Sequence, residues 1–188
     1  MLKLGKKNME VSKPKRRRTR RISERLRMFG ILALILCNLG CDQISKEIVR
    51  ETVGYHENFK ILTEQFTLMK VENTGAFLSI GSSLPYLIKV LLLSLLPVIV
   101  ICYAVFLLIS KKGIPTPIVL GLAFVIGGGI GNLYDRIRYG SVTDFLHIDF
   151  GIFQTGVFNM ADVSIMLGML LILIGLAKAR TSELLKSS

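Results

Sequence analysis

The sequence has little from which a metal site could be built. Of its 188 residues only two are histidines, His56 and His147, and three are cysteines, Cys37, Cys41 and Cys102. No spacing among them matches a zinc site, and the cysteines lie in apolar stretches, where we expect buried free thiols. A zinc protease is therefore disfavoured, and we expect neither a metal ion nor another cofactor.

Charged residues are also scarce. They make up 20% of the chain, hydrophobic residues make up 51%, and the mean hydropathy is +0.55. A soluble domain of this length can bury a core without such an apolar excess, whereas a membrane protein needs it. The composition therefore predicts a membrane protein.

The basic residues are concentrated at the N-terminus. Residues 1–27 hold twelve of the 24 basic residues and only two acidic ones, Glu10 and Glu24, which leaves a net charge of +10 there. A basic run directly before an apolar span is typical of a cytoplasmic segment, and anionic lipid would attract it. Because no aromatic residues interleave these charges, nucleic-acid binding is disfavoured. We interpret residues 1–27 as a disordered cytoplasmic tail.

Four apolar segments approach the roughly 20 residues that a membrane-spanning helix needs. They cover residues 28–48, 84–109, 114–134 and 158–177. We therefore predict an all-α polytopic membrane protein with one four-helix domain over residues 28–180 and a short cytoplasmic C-terminal tail, residues 181–188. Pro115 and Pro117 suit the opening of the third helix, and Pro97 should kink the second.

The remaining basic residues set the orientation. With the N-terminus cytoplasmic, Lys111, Lys112 and the basic C-terminal residues also lie inside, so residues 50–83 and 138–157 form outer loops. Within them, residues 66–71 are strand-like and residues 145–150 are apolar enough to lie at the membrane interface. Both termini are thus predicted to be cytoplasmic.

Polar residues cluster in and beside the spans. On the first helix Asn38, Asp42 and Lys46 share a face by their spacing of four. This stripe is either internally compensated inside the bundle or part of a site, and Lys46 is near enough to the outer end to snorkel. In the third span the segment 127–136 is rich in glycine, which permits close helix approach. We interpret Asp135 and Arg136 at its end as a structural ion pair.

Asp144 and Asp162 flank the last loop, and both are expected near the outer face. An ionised carboxylate at the bilayer centre costs about 2.5–3.5 kcal/mol on insertion scales, so two such acids indicate a site rather than packing. Two carboxylates can share a proton and activate a water molecule. Helix capping explains Asn159 or Asp162 singly, but not the Asn and Asp residues at both loop ends.

Two alternatives remain at this point. A small proton-coupled transporter also uses intramembrane acids, but it predicts acids spread through the membrane depth. The chain could also be a lipoprotein precursor, since Leu39-Gly40-Cys41 follows basic residues and an apolar run. Asn38 and the three later spans argue against that interpretation.

Five motifs between residues 42 and 162 resemble those of the lipoprotein signal peptidase family, also called signal peptidase II, in their order and spacing. They are Asp42-x-x-x-Lys46, Asn73-x-Gly75-Ala76, Gly127-Gly128-x-x-Gly131-Asn132-x-x-Asp135-Arg136, Val142-x-Asp144-Phe145 and Phe158-Asn159-x-Ala161-Asp162. The glycine-rich block followed by Asn-x-Ala-Asp is the most specific part, and the long basic tail is not a family requirement.

The resemblance implies a four-helix enzyme of the bacterial inner membrane, with a small outer β-sheet cradle and no metal. Its members remove signal peptides from prolipoproteins whose cysteine carries diacylglycerol. The motif match makes Asp144 and Asp162 the catalytic pair. The other matched residues bind substrate, line the pocket or support it: Asn73, Gly75, Gly128, Asn132, Arg136, Asn159, Ala161, Asp42 and Lys46. We expect a monomer in contact with prolipoprotein and membrane lipid.

Overall fold

A computed structural model describes residues 15–61, 63–75, 83–111 and 113–187, with side chains described from residue 24 to residue 181 within those ranges. The helices are α1 (Lys15–Thr52), α2 (Tyr86–Val90), α3 (Leu96–Ser110), α4 (Thr116–Tyr139) and α5 (Met160–Ser187). The strands are β1 (Asn58–Lys60), β2 (Phe66–Asn73) and β3 (Val142–Ile148). The chain divides into two compact units, Met1–Gly30 and Ile31–Ser188, and the site lies in the second.

Four helical segments are long and apolar enough to cross a membrane. They are Glu24–Thr52, Tyr86–Ser110, Thr116–Tyr139 and Met160–Thr181. The predicted polytopic four-helix fold is confirmed, with boundaries close to those expected.

Helices extend into both predicted tails. Helix α1 begins at Lys15, so residues 15–27 are helical, and α5 continues to Ser187. The expectation of disorder is therefore wrong for residues 15–27, while residues 1–14 lie outside the described part of the chain. Arg, Lys, Leu, Ser and Glu tolerate a helix well, and extending an existing helix forms one hydrogen bond for each residue that is fixed.

Prolines shape the second and third spans as predicted, with one difference in form. Helix α4 begins directly after Pro115 and has Pro117 in its first turn. In the second span a π-helical segment, Leu91–Leu95, separates α2 from α3, and Pro97 follows in the first turn of α3. Because Pro97 has no N–H, it cannot donate the regular backbone hydrogen bond to the preceding turn of the helix. The π-helical segment lies in that preceding turn and accommodates the missing bond.

Helix α4 is the central element of the fold. Half of the residues in its apolar 18-residue stretch are buried, against 11% in the first two spans and 22% in the span of α5. Its glycines allow this packing, since a Cβ atom at Gly121 would stand 2.5 Å from the carbonyl oxygen of Gly168 on α5. The buried core beside it consists of Ile31, Ala104, Leu108, Val119, Ala123 and Ile126. Asn132 and Asp135 on α4 are accordingly buried inside the protein.

The three cysteines are free, but they are not buried. Cys37, Cys41 and Cys102 all lie exposed on the outer surface of spans, so the prediction of buried thiols is wrong. The reason is that lipid tails are as apolar as a protein core, so a small apolar residue on a span can face either.

A three-stranded antiparallel sheet, ordered β1-β2-β3, accompanies the helices. Strand β2 confirms the strand predicted from residue 66, whereas β3 occupies a segment that we predicted only to be interfacial. The register pairs Val71 with Asp144 and Asn73 with Val142. A bridge between Leu146 and Phe158 ties β3 to the residues before α5. The sheet thus brings Asn73, Asp144 and the start of α5 together.

Candidate active site

Asp144 lies on β3 with a side chain held by two amides. The residue is only 3% exposed. Its Oδ2 accepts a 2.8 Å hydrogen bond from Nδ2 of Asn73, and its Oδ1 accepts a 2.6 Å hydrogen bond from Nδ2 of Asn159. Both oxygens are therefore fixed by neighbouring elements, β2 on one side and the start of α5 on the other.

Asp162 lies in the first turn of α5 and forms a reciprocal cap with Asn159. The N–H of Asp162 donates to Oδ1 of Asn159 at 3.0 Å, and the N–H of Asn159 donates to Oδ2 of Asp162 at 3.2 Å. This arrangement is a capping box, which satisfies backbone donors at a helix start. Because Asn159 also donates to Asp144, the capping and site interpretations hold together: one asparagine both caps α5 and joins the two aspartates.

The environment of Asp144 changes its proton affinity. Burial raises the pKa of Asp144 to about 6, and the nearby charge of Asp162 acts in the same direction. The hydrogen bonds from Asn73 and Asn159 lower the pKa but do not offset the burial. A carboxyl that titrates near neutrality can both hold and release a proton, as acid–base catalysis requires.

Asp162 is positioned by a chain of contacts from α1. Nδ2 of Asn132 donates to Oδ1 of Asp162 at 2.9 Å, and Oδ1 of Asn132 accepts from Nζ of Lys46 at 3.0 Å. Nζ of Lys46 also lies 2.8 Å from Asp42 and 3.0 Å from Asp135. Lys46 is fully buried, so the prediction that it snorkels is wrong, because the two carboxylates hold its ammonium group inside.

Asp135 does not pair with Arg136, contrary to our prediction. It forms ion pairs with Lys46 and with Arg50, whose NH2 lies 2.9 Å from Oδ1 of Asp135. Consecutive residues on a helix do not face each other, which explains the error. Arg136 instead donates to the carbonyl oxygens of Gly75 at 3.1 Å and Asn132 at 3.4 Å.

The sequence interpretation missed a second supporting network beneath β3. Nε of Arg50 donates to Oγ1 of Thr143, and Oγ1 of Thr143 donates to Oε1 of Glu72, both at 2.9 Å. Oγ of Ser141 donates to the other oxygen of Glu72 at 2.6 Å. Arg50 continues the four-residue spacing of the stripe on α1, which could have indicated it. These contacts hold Asp144 because Thr143 precedes it.

The turn after β2 also follows the predicted pattern. The N–H of Gly75 donates to Oδ1 of Asn73 at 2.9 Å, while Nδ2 of the same asparagine holds Asp144. Asn73 is therefore a turn former and a site residue at once. Ala76, the last residue of its motif, lies outside the described residues.

An apolar groove with a volume of about 520 Å³ opens beside Asp162. Asn132, Arg136 and Asp162 form its polar end, and the rest of its lining is Leu92, Leu93, Pro97, Gly129, Ile165 and Met166. Of the residues implied to line the pocket, Asn73 and Asn159 are not in the lining of this groove, and neither are Gly128 and Ala161. They are buried against each other, because a Cβ atom at Gly128 would collide with the carbonyl oxygen of Ala161. Their part is to bring α4 and α5 together.

Asp42 has a supporting position behind the start of α5. Asp42 is fully buried and accepts a 2.8 Å hydrogen bond from the N–H of Ala161, so it supports the start of α5. Among the residues that the structure describes, no three His, Cys, Asp or Glu side chains are grouped so that they could hold a metal ion. The described site can thus bind an apolar chain and exchange protons at its polar end.

Fold and site together define a multi-pass membrane protein with two linked aspartates at the end of an apolar groove. The family model described as Signal peptidase (SPase) II matches residues 34–178. The chain therefore belongs to the signal peptidase II family and is a peptidase. The alternative of a transporter is wrong on this finding.

Curated relatives and solved structures agree with this assignment. Proteins named lipoprotein signal peptidase from Syntrophus aciditrophicus and Streptococcus thermophilus are 31% and 33% identical. Those matches cover 76% and 81% of this chain, and 88% and 95% of the relatives. A relative with the same name from Halothermothrix orenii is 36% identical over 78% of this chain and 93% of its own.

A solved structure described as a bacterial membrane enzyme at 2.3 Å resolution superposes with a TM-score of 0.73 at 23% identity, covering 81% of this chain and 90% of that one. A second structure, described in the same way at 1.9 Å resolution, gives a TM-score of 0.69 at 21% identity, covering 78% and 92%. At these identities the likeness establishes the fold.

Proposed function

We propose that the protein is an aspartic endopeptidase that removes signal peptides from diacylglyceryl-modified prolipoproteins, cleaving before the lipidated cysteine. The observation that carries the proposal is the link from Asp144 through Asn159 to Asp162, at the polar end of an apolar groove. The names of its relatives supply the substrate class. A signal segment is apolar, so the lining of the groove suits it.

One aspartate acts as the general base and the other as the general acid. Asp162 lies in the first turn of α5, where the helix dipole of about half a positive charge favours a carboxylate. Asp144, with its pKa raised to about 6, retains a proton more readily. In the resting dyad Asp162 is therefore the base and Asp144 the acid.

Hydrolysis then proceeds without a covalent acyl-enzyme. Asp162 takes a proton from a water molecule, whose oxygen attacks the carbonyl carbon before the lipidated cysteine, while Asp144 gives its proton to the carbonyl oxygen. When the tetrahedral intermediate collapses, the carbon–nitrogen bond breaks, the leaving amine takes a proton from Asp162, and one hydroxyl of the intermediate returns a proton to Asp144, which restores the resting dyad. Donors on Asn132 and Arg136 stabilise the charge that develops on the oxygen.

The site operates at the outer face of the bacterial inner membrane. Both termini are cytoplasmic, in accord with the +10 charge of residues 1–27, and the tail takes no part in catalysis or in nucleic-acid binding. The domain over residues 28–180 acts as a monomer and meets its substrate in the lipid phase, where lipid, signal helix and water reach one point.

A cleavage assay tests the proposal. Purified protein in detergent is incubated with a precursor that carries diacylglycerol on its cysteine, and the product is followed by gel shift and mass spectrometry. We expect a new N-terminus at the lipidated cysteine and no cleavage of the unmodified precursor. Cleavage at another bond, or equal cleavage of both precursors, would contradict the proposed specificity.

A further inference from the structure

A second cavity, with a volume of about 230 Å³, adjoins the apolar groove. The two share Leu93 and Arg136, so the guanidinium group of Arg136 stands at their boundary. Their linings differ in character, because the second cavity is bordered by the polar side chains of Thr74, Lys89 and Ser94.

Two cationic side chains line the second cavity. Lys89 on α2 and Arg136 on α4 both line it, and none of its described lining residues is acidic. Arg136 donates to backbone carbonyl oxygens of Gly75 and Asn132 and already has the charges of the site aspartates nearby, so Lys89 is the cation of this cavity that is open to a ligand. Within the described residues, Lys89 has no ion pair and its side chain no hydrogen bond. An anionic group would complete this site electrostatically.

The arrangement of the two cavities gives the direction of a bound chain. Asp162 and Asn132 lie where the apolar groove meets Arg136. An apolar signal segment occupies the groove, so the scissile bond lies at this boundary and the chain beyond it enters the second cavity. An extended chain advances about 3.3–3.6 Å per residue, so only the first few residues after the bond can reach it.

We infer that the second cavity binds the first residues of the mature lipoprotein and that Lys89 selects an acidic side chain there. The inference rests on the proposed function and adds a determinant on the far side of the scissile bond. Lys89 lies outside the acid–base and supporting networks, so it acts on substrate choice and not on the chemistry.

Three diacylglyceryl-modified precursors test the inference. They carry Asp, Asn or Lys at the two positions after the cysteine and are otherwise identical. We expect kcat/KM to be about fivefold higher for the Asp precursor than for the Asn precursor, as one partly exposed ion pair allows, and lowest for Lys. In Lys89→Gln the preference disappears, and in Lys89→Glu it reverses. Salt should weaken the wild-type preference.

Lys60→Glu is the matched control, since Lys60 is an exposed lysine on β1 whose ammonium group donates to the carbonyl oxygen of Glu64. It should keep the wild-type preference. A wild-type enzyme without preference, or Lys89 variants that retain it, would overturn the inference while the proposed function stands.

Anionic lipid provides a second comparison. The assay is repeated in mixed micelles with and without phosphatidylglycerol. If Lys89→Gln changed only the response to that lipid, the cavity would hold a lipid headgroup and the inference would be wrong. If no precursor were cleaved by any variant, the proposed function would fail, and the inference with it.

Discussion

Asn159 donates a 2.6 Å hydrogen bond to Asp144 while it caps the helix that carries Asp162. The relative position of the two aspartates is therefore set by the start of α5. A single asparagine couples helix capping to the geometry of the site, and the two roles can be separated by mutation.

Asn159→Ala should lose both roles. We expect a stability loss of about 1 kcal/mol for the missing cap. We also expect kcat to fall by about ten- to a hundredfold, as the loss of a hydrogen bond to a charged group implies. Asn159→Ser keeps a capping oxygen but has no amide to donate to Asp144, so it should recover stability and not activity. Thermal unfolding in detergent and the cleavage assay measure the two effects. Wild-type turnover in the serine variant would refute the bridging role.

The raised pKa of Asp144 predicts how activity depends on pH. If Asp144 is the resting acid, kcat/KM should fall above about pH 6, where its protonated form is lost. A second limb at lower pH should mark protonation of the dyad as a whole. A pH–rate profile between 4.5 and 8 checks this, with Asp149→Asn as a variant outside the dyad that keeps the profile. A rate that rises steadily through pH 6 would contradict the assignment.

The free energy of unfolding should fall as Asp144 loses its proton. The folded-state pKa of about 6 lies above the unfolded value of about 3.9, so the folded state binds the proton more tightly. The stabilising contribution of protonated Asp144 is present below about pH 4 and is lost as the pH rises through 6. Its burial as an anion therefore costs stability at neutral pH.

The buried ion pairs between α1 and α4 should stabilise the fold only when their charges balance. Lys46→Met would leave Asp42 and Asp135 with one positive partner, Arg50, and should destabilise by about 3–5 kcal/mol. The double variant Asp42→Asn with Lys46→Met restores neutrality, because Asp135 then pairs with Arg50 alone. We expect it to unfold at a higher temperature than Lys46→Met. Additive losses in the double variant would show that the pair is not coupled.

Close packing of α4 against α5 gives another prediction. Gly128→Ala places a methyl group against the carbonyl oxygen of Ala161, which must move the start of α5 and with it Asp162. We expect losses of both stability and cleavage. Gly40→Ala on α1 is the control, since no atom lies within 4 Å of its added Cβ and alanine favours a helix. If both variants had the same stability and activity, close packing against α5 would not explain the glycine at position 128.

The sequence predicted the four spans because long apolar segments and prolines act locally. It also predicted the stripe of Asn38, Asp42 and Lys46, whose spacing fixes a shared face. It did not predict β3, because the apolar residues of 145–150 were assigned to the membrane interface and the partner strand β2 lies far away in the chain. The true partners of Asp135 were missed because Lys46 and Arg50 approach it from a different helix.

The most direct test of the proposed dyad is cleavage by single-site variants. Asp144→Asn and Asp162→Asn are compared with Asp149→Asn, an acid of the same outer segment whose carboxylate caps a turn at Gly151. General acid–base catalysis is worth about 10²–10⁴-fold, so both dyad variants should lose at least that much turnover while retaining wild-type helical content. Asp149→Asn should cleave at the wild-type rate. Turnover within about tenfold of wild type in either dyad variant would contradict the assignment of Asp144 and Asp162 as the catalytic pair.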